Sequence, residues 1–115
     1  IDARSIVPFN FEKVIASVAK TRKLLLTSDA CERGSALQTF AAKITQFAFD
    51  ELDAPPVVVG SRNWITPADE VEEAFFPQPS DMLDAIHEHI IPLPGYSARR
   101  RCDTEDLMRR SAEGV

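Results

Sequence analysis

Histidine and cysteine have the widest chemical range of any residues in this 115-residue chain, and it holds two of each: His87 and His89, Cys31 and Cys102. On a helix, His87 and His89 stand about 200° apart and cannot share a metal ion. Asp84, His87 and Glu88 do share a face, at i, i+3 and i+4. They have the donors for a metal, but a solvated face with an acid–imidazole contact is the plainer account. The cysteines form no CxxC and have no histidine at zinc spacing, so reduced thiols are expected. Cys31 falls in an expected strand-to-helix loop, where a nucleophile could sit; with no histidine near it in sequence, an incidental thiol is the expectation. The only glycines are Gly34, Gly60, Gly95 and Gly114, so no GxGxxG turn, Walker A loop or GxSxG elbow can be written. The carboxylates fall on exposed helix faces rather than in a pocket, which leaves no acid–base pair. No catalytic, cofactor-binding or metal-binding residue is therefore expected on this chain.

The charge distribution is more informative. Asp50 to Glu88 holds ten acids and a single base, Arg62. Trp64, Phe75 and Phe76 lie within it, flanked by Pro67, Pro77 and Pro79. Aromatics and prolines on an acid-flanked extended segment suit a contact surface for another protein. The alternative is that Phe75 and Phe76 only staple the connector to the body. The whole chain has 13 basic and 18 acidic residues, net −5, with a pI near 5.0. That argues against a generic nucleic-acid binder, which needs a basic face. No apolar run is long enough to span a bilayer, and no secretory signal is visible. A cytoplasmic location is expected. The chain does not begin with Met, so it reads as a piece of a longer protein.

The elements that must position these residues alternate. Ile1 to Val7 reads as a strand ending at Pro8. Asn10 caps a helix from Phe11 to about Lys20, with Phe11, Val14, Ile15, Val18 and Ala19 on one apolar face. Leu24 to Leu26 is a short strand, and Ser28 to Gly34 a loop. A second helix runs from about Ser35 to Glu51 on the stripe Leu37, Phe40, Ala41, Ile44, Phe47 and Ala48. Val57 to Val59 is a buried strand closed by Gly60. A short acidic turn spans Asp69 to Ala74, and Phe75 to Pro79 is an extended connector. Ser80 caps a last helix to about Ile90, with Met82, Leu83, Ile86 and Ile90 inward. Leu25 and Val58 are expected to be buried in neighbouring parallel strands. The alternation predicts a three-layer α/β/α domain with a mostly parallel sheet over residues 1–96. Residues 97–115, with 5 arginines and 4 acids, read as a charged appendage. Pro92, Pro94 and Gly95 separate it from the body. A short helix over Thr104 to Arg110 is available to it, and Arg99 to Arg101 suit an acidic surface or RNA.

Several of these segments, in unbroken order, resemble one family. Ile1-Asp2-Ala3-Arg4-Ser5-Ile6-Val7-Pro8-Phe9-Asn10 is similar to the "IDLRTLRPLD" stretch in the β subunits of 2-oxo acid dehydrogenase E1 components. Lys23 to Ala30 is similar to its "GRLVVVHEA", Ser35 to Ile44 to its "GFGAEIAARI", and Phe49 to Pro55 to its "AFDYLDAPV". Thr66-Pro67 and Val71 to Pro77 resemble its "TP" and "LE…FLP". The resemblance covers Ile1 to about Ile91. It departs at Ser28-Asp29-Ala30, where the family has His-Glu-Ala, and in its single glycine, Gly34, before the second helix.

The resemblance implies a C-terminal, transketolase-like domain whose first strand and helix lie ahead of Ile1. The whole enzyme would be a thiamine diphosphate- and Mg-dependent oxidoreductase for pyruvate, branched-chain 2-oxo acids or acetoin. The family's catalytic and cofactor groups lie elsewhere, so this chain would be a non-catalytic assembly and docking domain. Its implied partners are a second β subunit, the E1 α subunit, and the small basic subunit-binding domain of the acyltransferase. Asp69, Glu70, Glu72, Glu73, Phe75 and Phe76 are the candidate docking residues. Ser28, Asp29, Arg33, Gly34 and Ser35 are the candidate subunit interface. A stand-alone acidic α/β interaction module without enzymatic activity is the other reading. Neither engages nucleic acid or membrane.

Overall fold

The computed structural model describes residues 1–98. The segment Phe11–Thr21 forms helix α1, with the Asn10 side chain accepting the Lys13 amide at 3.0 Å. This is the cap that the sequence predicts, and it satisfies one of the orphan amides of the first turn. Strand β1 (Leu25–Cys31) follows, then helix α2 (Ala36–Ala48) with a 3₁₀ turn at Phe49–Glu51. Strand β2 (Val57–Ser61) runs parallel to β1, pairing Leu25 with Val57, Leu26 with Val58 and Thr27 with Val59. A 3₁₀ turn (Asp69–Val71) leads into the one-turn helix α3 (Glu72–Phe75), and helix α4 (Pro79–His89) packs on β2. The result is an α/β fold around a parallel strand pair.

The core sits between α1 and α2. Val14, Val18, Ile44 and Ala48 are buried there, and half-buried Phe9, Phe11, Ile15, Leu24, Leu26, Phe40 and Leu52 pack around them. Phe9 stacks on Phe40 at 4.1 Å between ring centroids, and Phe11 meets Phe40 edge-on at 6.0 Å. Arg22 ends α1 in the left-handed region at φ 59°. Its guanidinium reaches Asp53 at 2.7 Å and Glu51 at 3.2 Å, tying the end of α1 to the chain after α2. The Asp53 bond holds the Arg22 guanidinium charged to higher pH than usual, and the same bond holds the Asp53 carboxyl below its ordinary range.

Several expectations are corrected. Ile1 to Val7 forms no strand: the Asp2 carboxylate takes the Arg4 amide at 3.1 Å, Arg4 has φ 53°, and Ile1, Ile6 and Val7 are exposed. A strand needs a neighbour to bond to, and among the described residues the sheet has two strands. For the same reason Leu25 and Val58 are half-buried rather than buried. Strand β1 runs on through Cys31, so Ser28 and Asp29 belong to a strand and not to a loop. Gly60 lies within β2 rather than closing it. Phe75 is helical, and α4 is capped by Gln78, whose amide bonds the Asp81 carboxylate at 2.8 Å in a reciprocal capping box. In α4, Leu83 is exposed and Asp84 buried, the reverse of the predicted facing. The proposed helix over Thr104 to Arg110, the arginines Arg99 to Arg101, and Cys102 lie outside the described residues.

Candidate functional site

Three consecutive residues at the end of β2 fasten both candidate surfaces. Ser61 is fully buried; its hydroxyl donates to the Asp29 carbonyl, and its own carbonyl accepts the Glu32 amide at 2.9 Å. The Arg62 amide donates to the Phe75 carbonyl at 3.1 Å. The Asn63 side-chain oxygen accepts the Arg33 amide at 3.0 Å. Backbone geometry makes this junction possible. Between the Thr27–Val59 and Cys31–Ser61 pairs, β1 carries three residues where β2 carries only Gly60. That bulge folds the end of β1 over Gly60, and there is no room for a side chain beneath it.

Of the predicted interface, Ser28 is half-buried, with its hydroxyl accepting the Ala30 amide at 3.1 Å, and Asp29 is exposed. Arg33 and Gly34 are exposed, Gly34 at φ 70°. Ser35 precedes α2 in the capping position, but its hydroxyl oxygen is buried without a partner. These residues present the carboxyl end of the parallel pair, where open α/β sheets place their working loops.

Of the predicted docking residues, Asp69, Glu70, Glu72 and Glu73 are exposed along the 3₁₀ turn and α3. Phe75 is not available to a partner. It is 3% exposed, and Phe76, half-buried, packs edge-on against it at 4.9 Å. The pair is the staple that seats the acidic turn on the end of β2, so the anchoring role expected of Phe75 is corrected. The exposed apolar groups of this region are instead Trp64, Ile65 and Val71. Trp64 stands out in the sequence as the chain's one tryptophan; Ile65 and Val71 carry no periodic signal, because they lie in a loop and a 3₁₀ turn.

The trio Asp84, His87 and Glu88 does not share a solvated face. Asp84 is buried and accepts the Tyr96 hydroxyl at 2.6 Å, while the His87 Nδ1 accepts the Leu93 amide at 2.9 Å. Both groups are engaged in holding the turn that follows α4. Among the described residues, no three His, Cys, Asp or Glu side chains are grouped as a metal ion needs.

Residues 1–82 match the family profile described as the transketolase C-terminal domain. A pyruvate dehydrogenase E1 component subunit beta from Chlorokybus atmophyticus is 33% identical over 95 residues, which is 82% of this chain and 28% of that protein. The chloroplastic subunit beta-2 from Arabidopsis thaliana is 32% identical over 89 residues, 76% of this chain and 22% of that protein. The corresponding Bacillus subtilis subunit is 26% identical over 88 residues, 76% of this chain and 27% of that protein. The chain thus spans roughly a quarter of the length of these relatives.

Proposed function

The chain belongs to the transketolase C-terminal domain family, and from that premise we propose that it is the assembly and docking domain of a thiamine diphosphate-dependent 2-oxo acid dehydrogenase E1 β subunit. The relatives' names point to pyruvate as the substrate of the whole enzyme. Branched-chain 2-oxo acids and acetoin belong to the same reading. The thiamine diphosphate and Mg of that enzyme are placed on other parts of the assembly. The sequence writes no glycine-rich phosphate turn, which supports placing them there. No chemical step is assigned to this chain.

Two surfaces carry the assembly role. The carboxyl end of the strand pair, with Ser28, Asp29, Arg33, Gly34 and Ser35, is assigned to the contact between β subunits, and the E1 α subunit is the further partner of this reading. The acidic turn of Asp69, Glu70, Glu72 and Glu73 is assigned to the basic subunit-binding domain of the acyltransferase. The observation that carries this reading is the acidic turn itself. Four exposed carboxylates sit on a short element that a buried Phe75 fixes to the sheet, so the charges are held in place rather than trailing in a loop. Opposite charge of this kind accelerates encounter more than it deepens affinity. With Phe75 buried, Trp64 becomes the exposed aromatic for the bound state. The same reading places the enzyme in the cytoplasm. No helix among the described residues is long and apolar enough to cross a membrane.

The test is association kinetics with a cognate basic subunit-binding domain. Glu72→Lys with Glu73→Lys should slow association about tenfold at low salt, and the difference should shrink as salt rises. An unchanged on-rate at low salt would reduce the acidic turn to a solvated face and remove the docking assignment.

A further inference from the structure

Trp64 is presented from a fixed stem. Of the two residues before it, Arg62 donates its amide to the Phe75 carbonyl at 3.1 Å, and the Asn63 side chain accepts the Arg33 amide at 3.0 Å. The Trp64 residue that follows is 49% exposed, and Ile65 beside it 94%. Among the described residues, the ring contacts join phenylalanines to one another and His87 to Tyr96, and none involves the indole. Only Ile65 to Ala68 separate Trp64 from Asp69, and the Arg62–Phe75 bond sets its stem at the end of α3. An exposed aromatic face is thus carried on the same unit as the exposed carboxylates of Asp69, Glu70, Glu72 and Glu73.

We propose that Trp64 is the arginine-reading residue of this surface: a guanidinium of the docking partner lies on the indole face while carboxylates of the acidic turn meet its charge. The partner is the basic protein surface of the docking assignment, on which this inference rests; what is added is the cation that is read and the residue that reads it.

Charge complementarity chooses this occupant. A nucleic acid or an anionic membrane brings phosphates, which the carboxylates repel. A wholly apolar partner would cover Trp64 and Ile65 but bury the neighbouring carboxylates without counter-charges. A cationic partner suits both groups, and Asp50 to Glu88 holds only one base of its own, Arg62. The ring then decides between the two cations. Indole is the strongest aromatic acceptor of a cation. The guanidinium is planar and weakly hydrated, so it can stack on the ring and still point N–H groups at a carboxylate from its edge. The lysine ammonium is a compact, strongly hydrated charge with no flat face to offer.

The experiment is peptide titration of the full 115-residue chain, read by its own fluorescence, since Trp64 is the only tryptophan. The probes are a Gly-Arg repeat and a Gly-Lys repeat, matched in length and charge. The arginine peptide should bind about threefold tighter, the weight of one exposed cation–π contact, and should shift the Trp64 emission more than the lysine peptide does. Trp64→Leu, followed by calorimetry, should abolish the preference and keep the parent's affinity for the lysine peptide. Glu72→Lys with Glu73→Lys should weaken both peptides alike. Equal binding of the two peptides, or an arginine preference that survives Trp64→Leu, would overturn the inference and leave the docking assignment standing. A preference that depends on Trp64 would uphold it even where the on-rate to the cognate domain ignores Glu72→Lys with Glu73→Lys, the result that removes the docking assignment. Two results in the peptide-free chain would give the face to another occupant and overturn the assignment to a partner. One is a Trp64 emission shifted by Arg99→Gln, Arg100→Gln and Arg101→Gln together, which marks the chain's own arginines. The other is an emission that shifts with chain concentration, which marks a second copy.

Discussion

A methyl group added at Gly60 would lie 2.6 Å from the Ala30 carbonyl oxygen and 2.8 Å from the Glu32 amide nitrogen. Both obstacles are backbone atoms, one in the bulge of β1 and one just past its end, and neither can turn aside as a side chain would. Gly60→Ala should therefore destabilise the chain by about 1–3 kcal/mol, the usual cost of overpacking. Gly34→Ala is the control, with open space around its Cβ but φ at 70°; its cost should be about 1 kcal/mol and purely conformational. A denaturant midpoint for Gly60→Ala above that of Gly34→Ala would show that β1 does not close over β2. The Arg22–Asp53 pair makes a second prediction at this scale. Asp53 is held below its ordinary carboxyl range, so its stabilising contribution is present above the unfolded value, near about 3.9, and is lost as pH falls through the lower folded value. Asp53→Asn should remove that part of the acid dependence and leave stability at neutral pH lower. Acid titrations of parent and variant with parallel slopes would contradict it. Arg22 is raised in turn, so its contribution would fail only in strong base. Asn10 was legible as a cap because capping depends on residues three apart. Asp84 was not legible as buried, because its burial is decided by Tyr96, beyond the helix and around a turn.

Among the elements, helices were read from the sequence more faithfully than strands. The stripe Val14 and Val18 in α1, with Leu37, Ala41, Ile44 and Ala48 in α2, is buried as its spacing requires, since a helix face is set by the chain's own periodicity. Phe47 departs from the stripe and is exposed, and so is Ala19. A strand depends on its neighbours. Leu24-Leu25-Leu26 and Val57-Val58-Val59 have the composition of strands covered on both faces, yet in a two-stranded sheet they are half-buried. The energetic ranking follows from this. Ile44 is 0% exposed, and Ile44→Ala should cost about 3–5 kcal/mol through lost transfer energy and an uncollapsed cavity. Val58→Ala, which starts from a half-buried side chain, should cost about 1–2 kcal/mol. A larger loss at Val58 than at Ile44 would mean that the sheet is covered in solution by something beyond the described residues. The acidic turn shows the same limit from the other side. Its four carboxylates were legible as a cluster, but which of the neighbouring aromatics faced outward depended on the Arg62–Phe75 bond, a contact across sequence.

For the molecule as a whole, the decisive quantity is how much apolar and backbone surface the two-stranded sheet leaves without a neighbour. Neither β1 nor β2 has a second strand beside it among the described residues. An isolated pair of strands is marginal in water and needs cover from further elements, which α2 supplies to both strands and α4 to β2. Unpaired edge amides and carbonyls are a template for another chain. Large apolar side chains add to this: Phe47 is 60% exposed, Phe49 72% and Val7 86%. A chain of 12.8 kDa in this state should associate with itself. The contact expected of it is isologous, with the carboxyl end of the strand pair at its centre, because a closed dimer uses the same patch on both partners. Light scattering at micromolar concentration should give a mass above 12.8 kDa that rises with concentration. Arg33→Glu, an exposed change at the proposed contact, should shift that rise to higher concentration without moving the denaturation midpoint of the dilute chain. A mass that stays at 12.8 kDa on concentration would mean that the chain seals its own strand edges, and the β–β assignment would then have to be sought on another face.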